Sequence, residues 1–114
     1  MPYISTKLNF KLEQADELAL KDEFGKAISI FPGKSERYLM LHFQDTCDMY
    51  FGGDNDDKIA MIEVKMFGMP DKSHCDEATR VFTEILSNRL AIDPMNIYIK
   101  YEDSQFWGMG GKNF

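Results

Sequence analysis

The dipeptide Met1-Pro2 is the stretch of this chain with the clearest potential for chemistry. Methionine aminopeptidases normally remove an initiating methionine when the next residue is small or is proline. Removal of Met1 would leave Pro2 with a free secondary amine on a rigid ring. Such an amine can act as a base or nucleophile if a dry, electropositive pocket lowers its pKa towards neutrality. The structural alternative is that Pro2 only starts an edge strand, where its missing N–H costs nothing.

The composition limits the classes of protein to which the chain can belong. Its 114 residues are the length of one domain with a modest core, and we interpret residues 1–114 as a single domain. The net charge of −6 argues against a nucleic-acid partner, which requires a basic surface. No apolar run is long enough to span a membrane, and no signal-peptide pattern is present. We therefore expect a cytoplasmic protein without a membrane partner.

The cysteines and histidines do not form a metal-binding pattern. Cys47 and Cys75 are widely spaced, neither belongs to a C-x-x-C motif, and neither has a metal-like spacing to His42 or His74. The acidic loop 54–57 lacks the spacing and the distal glutamate of an EF-hand, so we interpret it as a solvated connection. The sequence predicts two free thiols, no metal site and no cofactor.

The first half of the chain predicts a strand, a helix and a second strand. Residues 3–9 alternate between apolar and polar positions, as a half-buried strand does. A helical period begins at Gln14, and Pro32-Gly33 stops it. Residues 38–43 alternate again. The apolar positions of the helix are Leu20, Phe24, Ala27, Ile28 and Phe31.

The second half repeats this order after a short apolar piece and a glycine turn at residues 49–53. Residues 59–67 form the clearest alternating strand. Ser73, with Asp76 three residues later, is the expected N-cap of a second helix, and Pro94 is expected to end it. Residues 96–101 alternate again. The apolar positions of this helix are Ala78, Val81, Phe82, Ile85, Leu86 and Leu90.

Two copies of one β-α-β unit predict an α/β fold of the α+β type. The expected architecture is a four-stranded mixed sheet with both helices on one face. The other sheet face is too apolar for open water, so we expect other copies of the chain to cover it. That face would carry Tyr3, Ser5, Lys7, Tyr38, Met40, His42, Met61, Glu63 and Lys65.

Six motifs occur in the order in which one known family has them. They are Met1-Pro2, Gly33-Lys34 through Tyr38, Met49 to Gly53, Ala60 to Gly68, Ile92 to Ile99, and Trp107 to Phe114. With these motifs the chain resembles the macrophage migration inhibitory factor family of the tautomerase superfamily over essentially its whole length. The resemblance implies a homotrimer, with three sheets around a central axis and active sites at the subunit interfaces.

The resemblance also implies a role for individual residues. Pro2 would be the catalytic base, Lys34 the conserved pocket lysine, and Tyr98 a tyrosine that the neighbouring subunit contributes. The substrate-binding positions would be the backbone of Phe67 and the side chains of Tyr38, Lys100, Trp107, Met109 and Phe114. The chain departs from the family pattern at two of these positions, because Lys100 replaces an asparagine and the usual Gly-Trp pair is Gly108-Met109.

These residues together predict a keto–enol tautomerase for phenylpyruvate-type 2-oxo acids. The Pro2 amine would move the proton, and Lys34 would lower the pKa of that amine and bind the substrate carboxylate. Tyr98 would donate a hydrogen bond to the enolate oxygen, and Lys100 could add to the effect of Lys34. The aromatic side chains suit an aryl group and exclude water.

Two other classes of function remain open. One is a non-catalytic, cytokine-like trimeric protein that is secreted without a signal peptide and binds a host receptor. The other is decarboxylation or dehalogenation of a small acid. That chemistry usually requires arginines or a carboxylate beside the proline. We rank it third because Arg37 is the only arginine near the expected pocket, and its neighbour Tyr38 alternates to the opposite face.

Overall fold

The period-two segments of the sequence form the four strands of one sheet. A computed structural model describes residues 1–68 and 70–114. The main strands and helices alternate as the sequence predicts, and a small hairpin follows them. In chain order they are β1 (Pro2–Leu8), α1 (Gln14–Ala27), β2 (Met40–Gln44), β3 (Ala60–Phe67), α2 (Lys72–Leu90), β4 (Ile97–Ser104), β5 (Gly108–Met109) and β6 (Lys112–Asn113).

The sheet is mixed, and its strand order is β2-β1-β3-β4. Strand β1 is parallel to β2 and antiparallel to β3, while β3 is parallel to β4. Each parallel pair is joined by a crossover through a helix, as parallel strands require. The two β-α-β units therefore meet at the β1–β3 pair, which confirms the predicted duplicated architecture.

Both helices pack on one face of the sheet and close a single core there. Along β3 the residues alternate between buried and half-buried, which is the pattern of a strand with one covered face. Phe24 of α1 meets Phe82 of α2 edge to face, with 4.9 Å between the ring centroids. Both side chains are fully buried, so replacing either with alanine should cost about 3–5 kcal/mol.

The start of α2 differs from the prediction. Ser73 is not the N-cap: the helix begins at Lys72, Asp71 occupies the N-cap position, and no side chain caps the first turn. Asp76 instead forms an ion pair with Lys72, with 2.8 Å between Nζ and Oδ2. The extended backbone of Asp71 follows Pro70 and places the helix start two residues earlier than the capping pattern predicted.

The other predicted boundaries are close, with local corrections. Helix α2 ends at Leu90 before Pro94, because Ala91 takes a left-handed conformation (φ 57°). Tyr38 lies in a 3₁₀ turn (Glu36–Tyr38), and β2 starts only at Met40. The apolar piece at residues 49–53 contributes one isolated bridge, between Phe51 and Asp54, with a glycine turn inside it.

The uncovered sheet face mixes apolar and charged side chains. Met40 and Tyr98 are 66% and 62% exposed on it. Glu63, near its middle, lies 4.0 Å from Lys7 and 3.9 Å from Lys65. No helix in the described part of the chain has the length and apolar character needed to cross a lipid bilayer.

Candidate active site

Pro2 is the first residue of an inner strand. Its partner in β3 is Met66, and β1 is covered on both sides by β2 and β3, so the edge-strand interpretation of Pro2 is wrong. A missing N–H is tolerated here because Pro2 stands at the very start of the strand. The proline ring is buried, and Met1, the residue before it, lies next to the end of β3.

Met1 connects the start of β1 to the end of β3. Its carbonyl oxygen accepts a hydrogen bond from the backbone N–H of Phe67 at 3.4 Å. The pKa of its amine is lowered from the usual 8.0 to about 6. Burial is the largest cause, followed by a hydrogen bond from Lys34 and the positive charge of Lys34. An α-amine at this place is therefore largely neutral at pH 7.

Lys34 is positioned by the turn that follows α1. Pro32 and Gly33 occupy the centre of the turn, and the N–H of Lys34 donates to the carbonyl of Phe31 at 3.1 Å. Gly33 has φ 77°, the conformation that a type II turn requires at this position. The ammonium group of Lys34 then donates to the carbonyl oxygen of Phe67 at 3.0 Å. The Pro-Gly stop of the helix thus also places the lysine.

The candidate residues of a single chain line two separate cavities. The apolar cavity, of about 450 Å³, contains four of the predicted site residues. Its lining is Met1, Pro2, Tyr3, Tyr38, Met40, Phe106, Trp107, Gly108 and Met109.

The second cavity, of about 290 Å³, contains Lys34 and Phe67, and it is named the polar cavity for its three polar side chains, those of Lys34, Asp71 and His74. Its lining is Phe31, Pro32, Lys34, Met66, Phe67, Gly68, Pro70, Asp71 and His74.

Met1 is the link between these two cavities. It lines the apolar cavity, and its amine and carbonyl group interact with Lys34 and Phe67, which line the polar cavity. The apolar cavity thus brings together four predicted residues, Pro2, Tyr38, Trp107 and Met109. Lys34 and Phe67 lie together in the polar cavity instead. Met1, which lies between these two groups of residues, is the residue that a methionine aminopeptidase would remove.

The C-terminal hairpin brings the tail to the site. Gly110 and Gly111 connect β5 to β6 with φ values of 62° and 85°, so only glycine-like residues suit both positions of this tight turn. The N–H of Phe114 donates to the carbonyl of Trp107 at 3.0 Å. The Phe114 ring lies 6.0 Å from the ring of Phe67. Phe114 is therefore next to the polar cavity, as its predicted role requires.

Sequence reasoning missed several residues of these cavities, among them Phe106, Met40 and His74. Phe106 lines the apolar cavity and is 79% exposed, although it was interpreted only as part of an aromatic tail. Met40 lines the same cavity at the start of β2. His74 lines the polar cavity from the first turn of α2. In the sequence His74 lies only a few residues after β3, and no pattern links it to Lys34.

Tyr98 and Lys100 do not reach Pro2 within one chain. Tyr98 is paired with Met61, whereas Pro2 is paired with Met66, five positions along β3. The separation along the strand is roughly 16 Å at the usual rise per residue. The Tyr98 ring packs on Phe51, with 5.0 Å between ring centroids.

Lys100 lies on the same strand and is held by acidic groups. Its ammonium group is 2.8 Å from the Glu102 carboxylate, and the hydrogen bond from Lys100 to Glu102 is the main cause of its raised pKa. Glu63 lies opposite it on β3 and acts in the same direction. Tyr98 and Lys100 can join the Pro2 site only from another copy of the chain.

The whole chain matches one protein family. The family model described as macrophage migration inhibitory factor matches residues 1–113. The chain belongs to this family. It therefore belongs to the tautomerase superfamily, as the motifs at Pro2, Lys34 and Tyr98 predicted. A search of curated proteins finds no match.

Solved structures of other family members have the same fold. The MIF2 protein of Leishmania major is 24% identical, with a TM-score of 0.91 over 100% of this chain and 97% of that one. The macrophage migration inhibitory factor of Toxoplasma gondii is 24% identical, with a TM-score of 0.89 over 98% and 99% of the two chains. The homologue from Prochlorococcus marinus is 26% identical, with a TM-score of 0.81 over 98% of each chain.

Among residues 1–68 and 70–114, no three histidine, cysteine, aspartate or glutamate side chains cluster in a way that could hold a metal ion. Cys47 and Cys75 are both free thiols. Burial raises the pKa of Cys75, so its thiol is less reactive than an ordinary one.

Proposed function

We propose that the chain, once Met1 has been removed, catalyses keto–enol tautomerisation of phenylpyruvate-type 2-oxo acids. Pro2 is the base, and the reaction moves a proton between the carbon beside the keto group and the keto oxygen. The observation that carries the proposal is the Met1 amine, whose pKa falls to about 6 beside Lys34. The free amine of Pro2 would lie one residue away, at a buried position. A neutral amine there can accept a proton near pH 7.

Removal of Met1 also prepares the rest of the site. The Phe67 N–H loses its acceptor, and the Lys34 ammonium loses the amine that it faces. Both groups are then free to donate hydrogen bonds to a substrate carboxylate. Because Met1 stands between the two cavities, its loss joins them into one cleft. The Pro2 amine lies at the junction, with an apolar half on one side and a cationic half on the other.

The cleft matches the shape and polarity of an aryl-2-oxo acid. The aryl ring fits the apolar cavity, where Tyr38, Trp107 and Met109 exclude water. The carboxylate fits the polar cavity beside Lys34. The reacting carbon then lies between these ends, beside Pro2. Holding both ends of the substrate positions that carbon against the base. Such positioning lowers the activation barrier by more than substrate binding alone does.

We further propose that the active unit is a homotrimer. Met40 and Tyr98 are exposed on the uncovered sheet face, and a contact with another copy of the chain would bury them. Tyr98 lies roughly 16 Å along the sheet from Pro2, so it can donate to an enolate oxygen only in a neighbouring copy. A head-to-tail contact that closes into a ring gives every copy the same site.

The test compares three forms of the protein that differ only at the N-terminus. They are the chain that begins at Pro2, the chain that keeps Met1, and the chain that begins at Pro2 with an acetylated amine. Mass spectrometry identifies each form, and the absorbance of the phenylpyruvate enol reports the rate. Only the first form should be active, because the Pro2 nitrogen is an amide in the other two forms. An amide nitrogen has no useful basicity.

Two results of this comparison would contradict the proposal. Equal activity of the acetylated and free Pro2 forms would exclude Pro2 as the base. Absence of activity in all three forms, against several arylpyruvates, would favour the non-catalytic interaction protein.

A further inference from the structure

The polar cavity holds one donor beyond those already assigned, His74. It lies in the first turn of α2 and shares the cavity with Lys34 and Phe67. Its backbone N–H donates to the carbonyl of Asp71 at 3.1 Å, which fixes the turn that carries it. His74 therefore lines this cavity from the start of α2, whereas Lys34 lines it from the turn after α1.

The two sides of the His74 ring differ in their surroundings. Nδ1 is buried and has no hydrogen-bond partner among the residues that the structure describes. The nearest carboxylate oxygen, on Asp71, is 4.0 Å away, which is too far for a hydrogen bond. The side chain as a whole is 33% exposed, so its accessible part lies among the other ring atoms, which include Nε2. Nε2–H can donate in the imidazolium and in one of the neutral tautomers.

A carboxylate offers more acceptor sites than Lys34 can fill. Its two oxygens provide about four lone-pair sites, whereas the Lys34 ammonium already spends one of its three donors on Phe67. A second donor in the lining of the same cavity would complete the binding of such an anion. Asp71 also lines the cavity, but its side chain is 83% exposed and solvent screens its charge.

We propose that the polar cavity is a carboxylate subsite in which His74 binds the anion together with Lys34. His74 is thus a substrate-binding residue that selects for acids over their uncharged analogues. The inference rests on the proposed function for the identity of the acid, a 2-oxo acid, but not for the binding of a carboxylate. Through His74, the start of α2 contributes to the substrate specificity of this chain.

The experiment measures binding of 3-phenylpropanoate, a carboxylate that cannot enolise, to the chain that begins at Pro2. Titration calorimetry gives the Kd of the parent and of His74→Ala, His74→Gln and Lys72→Gln. The uncharged 3-phenylpropanamide is the matched ligand. Lys72→Gln removes a positive charge from the same helix turn, but Lys72 is paired with Asp76 and does not line the cavity.

His74→Ala should raise the Kd of the acid about tenfold, the usual effect of losing a hydrogen bond to a charged group, and leave the Kd of the amide unchanged. His74→Gln, which keeps an N–H donor, should stay close to the parent, and so should Lys72→Gln. Circular dichroism confirms the fold of each variant.

Several outcomes would overturn the subsite. These are an unchanged Kd in His74→Ala, an equal loss for the acid and the amide, an equal loss in Lys72→Gln, or no binding of the acid to the parent protein. By contrast, His74-dependent binding in a protein without tautomerase activity would overturn the proposed function and support the subsite.

Discussion

The ammonium group of Lys34 donates a hydrogen bond to the carbonyl oxygen of Phe67 at 3.0 Å and thereby ties the turn after α1 to the end of β3. The Phe67 N–H is held at the same time by the carbonyl of Met1. Phe67 therefore connects the lysine to the chain terminus through its two backbone polar groups. This connection holds Lys34 close to the Met1 amine, whose pKa is lowered first by burial and then by Lys34.

Replacing Tyr98 with phenylalanine should lower kcat by about 100- to 1,000-fold, the range for loss of one hydrogen-bond donor to an oxyanion. Thermal stability should change little, because the ring is 62% exposed and keeps its contact with Phe51. The assay is phenylpyruvate turnover alongside thermal unfolding. A large loss of stability with normal turnover per folded protein would make Tyr98 a packing residue instead.

Mixed oligomers test whether Lys34 and Tyr98 act from different copies. Lys34→Met and Tyr98→Phe should each be nearly inactive, but one site in about four of a randomly mixed ring pairs an intact Lys34 with an intact Tyr98. Refolding the two variants together should therefore restore about a quarter of the parent activity. If the mixture is no more active than the separate variants, the two residues do not share a site across an interface.

The predicted assembly can be measured directly. Analytical ultracentrifugation at micromolar concentration should give the mass of three chains. Met40→Lys would place a charge on the uncovered sheet face and should shift the protein towards monomers, since an unpaired charge is costly to bury. Lys21→Met, on the exposed surface of α1, is the control. A parent protein that sediments as a stable monomer would contradict both the trimer and the shared site.

Much of the fold could be predicted because each main strand has one covered face. The alternation at Ala60–Phe67 in the sequence is the same alternation that appears in its burial. Helix ends were harder to predict. Ser73 and Asp76 match a capping box, yet the extended Asp71 after Pro70 started the helix earlier. Local chemistry permitted both starts, so the capping pattern alone could not decide between them.

The candidate site was predictable only in part. The resemblance supplied Pro2, Lys34 and Phe67, but the cavity that holds Lys34 also contains His74, and no local pattern links a residue of α2 to a turn after α1. The position of Met1 between two cavities is likewise a product of the folded chain. Tyr98 lies far from Pro2 along the sheet of the single chain, so its predicted role rests on the proposed assembly.

The chain that keeps Met1 should show a specific dependence of stability on pH. The pKa of its amine is about 6 in the folded state and 8.0 in the unfolded state, so between these values the unfolded state binds more protons. The stabilisation is thus present above pH 8 and is lost as the pH falls through about 6. Chemical denaturation from pH 5.5 to 8.5 should show this loss, and an N-acetylated chain should lack it. Identical profiles for the two chains would mean that the amine is not buried against Lys34.

The proposed mechanism requires burial and the charge of Lys34 to hold the N-terminal amine of Pro2 neutral, so that it can act as a base. It is tested most directly by the pH profile of kcat/KM for phenylpyruvate in the chain that begins at Pro2, compared with Lys34→Met. In the parent, kcat/KM should rise with pH as the amine loses its proton, with a midpoint well below the usual range of an α-amine. In Lys34→Met the midpoint should move to higher pH, because the positive charge that disfavours the protonated amine is gone. The same midpoint in both proteins, or a profile without a rising limb, would contradict the claim.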